Sequence, residues 1–189
     1  MNAEKLIENL KKRGFEAVFA ATQAEAVEKA LSFMGEGSSV SWGGSVSIEE
    51  SGLLEKVRAG NFMLIDRDKA KNPEEKYDIM RKALSADIFL TSFNAVSEDG
   101  VLFNIDGNGN RVAAIAFGPK SVIALVGINK IVPTESDLEK RALSVAAPKN
   151  AVRLKLSNEQ DICATFVKTR ICRTKGRIKI IIVGEELGY

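Results

Sequence analysis

Short apolar runs alternate with amphipathic stretches along the first half of the chain, and only a few residues link one to the next. Residues 15–20 (FEAVFA), 38–42 (SSVSW), 61–66 (NFMLID) and 87–91 (DIFLT) have the length and the β-branched or aromatic content of buried strands. Residues 3–13, 22–34, 46–59 and 73–85 carry apolar side chains at helical spacing. The punctuation agrees. Gly14 stops the first helix, Thr22 with Glu25 makes a capping box for the second, and Pro73 followed by Glu74 and Glu75 opens the fourth. Strand and helix alternating over short links pack as a mostly parallel sheet with helices on both faces, an α/β fold of three layers. At 189 residues the expectation is one domain spanning residues 1–189.

The pattern loosens after Asn94. Residues 101–105 and 121–126 read as buried strands. Residues 112–117 follow a turn closely enough to make a hairpin-like excursion, while the alanines of 111–117 also allow a helix. Thr134 with Asp137 starts a helix that runs to about residue 146. A short helical piece covers 151–156, and RIKIIIV at 177–183 is a strand.

Composition excludes several kinds of chemistry. Lys and Arg (27) nearly balance Asp and Glu (25), and no basic stripe with interleaved aromatics marks a nucleic-acid surface. No run reaches the roughly 18 apolar residues of a membrane helix, and the first residues lack the apolar core of a signal peptide, so the expected location is cytoplasmic. There is no histidine, which removes Ser-His-Asp and Cys-His catalysis, His-ligated zinc and imidazole acid–base chemistry. Cys163 and Cys172 are too widely spaced for a CxxC site.

Two polar stretches stand at expected strand ends, where α/β proteins bind ligands. Gly43, Gly44 and Ser45 lie between a strand and a helix. Their glycines let an anion approach the backbone, although a tight turn capped by Ser45 or Ser47 explains them equally well. The second stretch spans residues 94–130. There Asn94, Asn104, Asp106, Asn110 and Arg111, with Gly107 and Gly109, could grip a polar ligand, and Asx-rich turns favour the same residues. Glu98, in Ser97-Glu98-Asp99-Gly100, is the candidate acid, nucleophile or base, set against an ordinary β-turn. Asp66, Arg67 and Asp68, at the carboxyl end of a strand, could be site residues, but the pattern favours a solvated turn.

The run NAVSEDGVLFNIDGNGNRVAAIAFGPKSVIALVGINKIV resembles the lactate-utilisation (LUD) domain family in its short form. So do SVSWGGSVSIEESGLLEKV upstream, VAAPKNAVRL downstream and the final Leu187-Gly188-Tyr189. The resemblance implies a fold of the NagB/RpiA/coenzyme A transferase type. It implies an accessory role in oxidising L-lactate to pyruvate, binding a small anionic or nucleotide-like ligand near Gly44 and Asn104–Arg111. Iron–sulfur partner subunits are the partner class it implies, with a homo-oligomer as a second association. Relatives carry a cysteine-rich segment before the last strand. Cys163 and Cys172 match its first and last positions and the middle cysteines are missing, so the pair reads as a remnant and no intrinsic iron–sulfur cluster is expected. Ser97-Glu98-Asp99-Gly100 also has the form of the catalytic turn of coenzyme A transferases. This keeps open a stand-alone transferase-like or sugar-phosphate-isomerase-like enzyme using Glu98, beside a non-catalytic ligand-binding protein.

Overall fold

The computed structural model describes residues 2–156 and 162–189. Asp161, at the head of the cysteine segment, lies outside the described residues. Helices α1 (Ala3–Lys12), α2 (Gln23–Ser32), α3 (Val46–Glu50), α4 (Leu53–Ala59) and α5 (Pro73–Ala83) alternate with strands β1 (Glu16–Ala20), β2 (Ser39–Trp42), β3 (Met63–Ile65) and β4 (Ile88–Thr91). The caps sit where side-chain chemistry puts them. Asn2 accepts from Lys5 N at 3.1 Å, Thr22 from Glu25 N at 3.2 Å, and Asn72 from Glu75 N at 2.8 Å ahead of Pro73. The stretch expected as one helix over 46–59 is two helices, because Gly52 adopts φ +77° and starts a new one.

The second half adds β5 (Ala95–Ser97), β6 (Leu102–Asp106), α6 (Asn110–Ala116), β7 (Ser121–Gly127), β8 (Ile131–Val132), α7 (Asp137–Arg141), α8 (Ala147–Leu154), β9 (Thr165–Thr169) and β10 (Ile178–Val183). A wide helical turn over Ala142–Ala146 joins α7 to α8. Residues 112–116 are therefore helical, and the hairpin-like alternative falls. Asp106 decides this: its carboxylate accepts from the backbone N–H groups of Gly109, Arg111 and Val112, groups that the first turn of α6 leaves without partners.

Six parallel strands form the main sheet in the order β1-β10-β7-β4-β2-β3. Its central strands are buried on both faces, which is why they read as continuous apolar runs. Ile178, Ile180 and Ile182 of β10 join Leu6 and Leu10 of α1 and Ile115 of α6 in one core, while Ile181 and Val183 join Val27 of α2 and Leu53 of α4 in the other. A second, mixed sheet runs β8-β5-β6-β9 and packs Phe103, Ile105 and Val132 against Leu138 and Ala142. The architecture is mixed α/β, mostly parallel, with helices flanking the sheet. Among the described residues no helix is long and apolar enough to cross a membrane.

Candidate functional site

All strands of the main sheet point the same way, so their carboxyl ends share one edge. The segments leaving β2, β3, β4 and β7, with those leaving β6 of the second sheet, enclose a cleft of about 360 Å³. Gly44 and Ser45 come from the β2–α3 turn and Val46 and Ser47 from the start of α3, Arg67 follows β3, and Ser92 to Asn94 follow β4. Asp106 ends β6, Gly107 and Asn108 follow it, Asn110 and Arg111 open α6, and Lys130 follows β7. Asn150 and Arg153 of α8, Lys76 of α5 and Tyr189 complete the wall.

Cations dominate this cleft. The stem of Arg111 lies on Gly43, whose absent Cβ would meet Arg111 Cγ and Cδ at 3.3 Å. The Arg111 guanidinium donates to Asn94 Oδ1 at 3.1 Å and to the Ile105 carbonyl, and lies 3.6 Å from Asp106. Burial pushes the Arg111 pKa down, Asp106 opposes that shift, and Arg67 and Arg153 reinforce it. Above Gly44, Arg67 Nη2 and Arg153 Nη2 stand 3.3 and 3.6 Å from the point where a Cβ would sit, so two guanidinium groups converge on one glycine. Arg67 Nε is buried and makes no hydrogen bond among the described residues; Asp68 Oδ1 is 3.8 Å away. Arg153 is steadied by Asn150 Oδ1 at 2.9 and 3.1 Å, and Tyr189 Oη donates to the same oxygen at 3.2 Å.

Lys130 lies deeper. It is 2% exposed, and its ammonium donates to Ser47 Oγ at 2.6 Å and Ser92 Oγ at 3.1 Å. Burial first, then Arg141 and Arg111, pull its pKa down to about 7, while Glu50 pulls the other way. Arg141 holds the frame. It donates to the Asn129 carbonyl at 3.0 and 3.2 Å and to the Asn94 carbonyl, and so ties the exits of β7 and β4 together.

The structure brings Gly44, Ser45, Asn94, Asp106, Gly107, Asn110 and Arg111 together at the cleft, with Gly43 directly beneath Arg111. Ser45 makes no side-chain capping bond. Asn104 is buried behind the wall, donating to the Ser92 carbonyl at 3.3 Å, and Gly109 supplies the left-handed turn into α6. Glu98 is not among the lining residues. Its turn packs against α1, where Asn9 Nδ2 donates to the Glu98 carbonyl at 2.8 Å. Cys172 is buried and donates to the Thr174 carbonyl at 3.0 Å; Cys163 packs against the core of the second sheet, and neither is in a disulfide. Among the described residues no group of three or more His, Cys, Asp or Glu is placed to hold a metal.

The sequence allows Arg67 as a site residue but favours a solvated turn, and the structure corrects that preference by placing Arg67 at the cleft. The turn is folded inward: Asp66 is buried and accepts from Asp68 N at 2.9 Å and Arg58 Nε at 3.3 Å, which leaves Arg67 facing the cleft. Lys130 and Arg153 were missed. For Lys130 a signal existed, a lone charge between the apolar pairs Gly127-Ile128 and Ile131-Val132. Arg153 left none, since a helical Arg at the edge of a polar face is ordinary.

A solved structure of a DUF162 family protein from Deinococcus radiodurans covers 97% of this chain and 98% of its own, with a TM-score of 0.58 and 14% identity, a likeness of fold. A similarity to eIF2B beta from Chaetomium thermophilum covers 71% of this chain and 47% of that one at 16% identity, and its TM-score of 0.44 is too low to bear on the fold. By sequence, 77 residues are 36% identical to Lactate utilization protein B of Shouchella clausii, which is 38% of this chain and 16% of that protein. The LUD domain matches residues 3–183, and the chain belongs to the LUD domain family.

Proposed function

We propose that this chain binds a small anionic or nucleotide-like ligand in the cationic cleft and serves as an accessory subunit in the oxidation of L-lactate to pyruvate, beside iron–sulfur partner subunits. The printed name of the Shouchella clausii relative supports the link to lactate. The observation that carries the ligand class is the pair of guanidinium groups over Gly44, one with a buried Nε that has no hydrogen-bond acceptor among the described residues. A buried donor without an acceptor costs free energy, and like charges crowded together add to that cost. A carboxylate or phosphate seated between Arg67 and Arg153 supplies acceptors and opposite charge at once. The reading extends to one cytoplasmic domain of the NagB/RpiA/coenzyme A transferase type, which the parallel main sheet supports.

The test is a calorimetric screen with lactate, pyruvate, coenzyme A, nucleotides and sugar phosphates. Anionic compounds should bind. Replacing Arg67 and Arg153 together with Ala should weaken the tightest binder by at least about 100-fold, since each charge-assisted contact is worth roughly 1.5–3 kcal/mol. An unchanged affinity in that double variant would place the ligand elsewhere. The alternative, an enzyme using Glu98, draws on the Ser-Glu-Asp-Gly turn alone.

A further inference from the structure

The cleft holds one group that anion binding leaves unexplained. A buried lysine that only completes a fold ordinarily pairs with a carboxylate. Lys130 instead donates to two hydroxyls, Ser47 Oγ at 2.6 Å and Ser92 Oγ at 3.1 Å, and all three residues line the cleft. An ammonium has three donors, and these contacts use two. The charged groups around it come from separate elements: Arg111 from α6, Arg141 from the end of α7, and Glu50 from α3. Glu50 is also engaged, accepting from Gly188 N at 2.9 Å. Two cations and burial outweigh that one carboxylate, which favours the uncharged, nucleophilic amine near neutral pH.

Building on the reading that the cleft takes a small anion, we infer that Lys130 is a nucleophilic amine that condenses reversibly with the carbonyl carbon of a small oxo acid whose carboxylate rests on the Arg67–Arg153 wall. The Nζ lone pair forms the new C–N bond while the C=O π pair moves to oxygen. One proton passes from nitrogen to that oxygen, with the hydroxyl of Ser47 or Ser92 in position to relay it. The carbinolamine oxygen then takes a second proton and leaves as water, and the nitrogen lone pair closes the C=N bond. Amine, carbonyl compound and one proton become iminium and water, with nothing oxidised or reduced. The iminium restores a positive charge that the ligand's own carboxylate compensates, so the site is better matched electrostatically when loaded than when empty.

The experiment treats the whole chain with glyoxylate or pyruvate and cyanoborohydride, then maps the reduced adduct by peptide mass spectrometry. The expected adduct is on Lys130, is suppressed by excess inorganic phosphate, and is absent from Lys130→Met. Relative to Nα-acetyl-lysine added to the same sample, labelling of Lys130 should be constant up to about pH 6, then fall toward about tenfold per pH unit above about pH 8, because its amine is already uncharged there while an ordinary lysine amine, of pKa about 10.4, is still gaining. Adducts confined to exposed lysines would overturn the inference, whatever the variant does, since mapping the native chain requires no variant to fold. Calorimetry with inorganic phosphate separates the two ideas. Phosphate binding without a Lys130 adduct overturns the inference and leaves the anion site standing. No phosphate binding and no adduct overturns both.

Discussion

Two glycine turns in this chain use similar residue types and do opposite things. In Ser97-Glu98-Asp99-Gly100 the exposed carbonyls are taken: Asn9 Nδ2 donates to Glu98 O at 2.8 Å and Arg13 Nε to Asp99 O at 2.6 Å. Gly100 sits at φ +83°, with the backbone of Asn9 and Leu10 3.1 Å from where its Cβ would be. That turn joins the second sheet to α1. In Gly43-Gly44-Ser45 the glycines instead make room for side-chain charge, Arg111 over Gly43 and Arg67 with Arg153 over Gly44. What separates joinery from a binding site is that the first turn's carbonyls are taken by α1, whereas beside the second a buried donor, Arg67 Nε, has no hydrogen-bond acceptor among the described residues.

Exchanging glycine for alanine in each turn breaks the comparison most sharply. Gly100→Ala should cost about 2 kcal/mol of stability in urea unfolding, from the left-handed φ and the close backbone, and leave anion affinity alone. Gly44→Ala should change stability by under about 0.5 kcal/mol yet weaken anion binding measurably, because its Cβ enters the space between the guanidinium groups. An effect of similar size comes from pH. Lys130 titrates near 7 when folded, against 10.5 for an ordinary lysine. Between those values the unfolded chain holds the proton more tightly, so stability should rise with pH by up to about 1.4 kcal/mol per unit. Below that window both states are protonated and the full penalty remains. The difference between the native chain and Lys130→Met, measured at pH 7 and pH 9, isolates this slope, and a bound anion should flatten it. The smallest effect belongs to Glu98→Gln, expected within about 0.5 kcal/mol in stability and without effect on the cleft. A large loss of ligand affinity there would move the functional centre to the α1 side.

Residues 87–91 were legible as a strand because both faces of the sheet are buried there and the apolar run is continuous, while 15–20 and 38–42 were legible from β-branched and aromatic residues set between turn signals. The second sheet was harder. β9 (TFVKT) alternates half-buried with exposed positions, and β5 is only three residues long, so neither gives a strong period. The glycine turn and the 104–111 loop were visible as polar breaks between apolar runs, but their meaning depends on neighbours distant in sequence. Arg153 reaches Gly44 from α8, and Lys130 reaches Ser47 across the cleft. Local pattern carries no trace of such pairings. It also could not tell that the Glu98 turn would be consumed by α1.

The strand order has a kinetic consequence. β10 lies between β1 and β7, so β1 has no neighbour in the main sheet until residues 178–183 are available. Until then β1, whose Ala17 and Ala20 are buried only in the folded chain, is an unpaired edge. Such long-range closure is slow and leaves aggregation-prone edges open. A released fragment ending before residue 178 should therefore lean on chaperones more heavily than residues 1–189, and protease protection of β1 should appear only in the longer one.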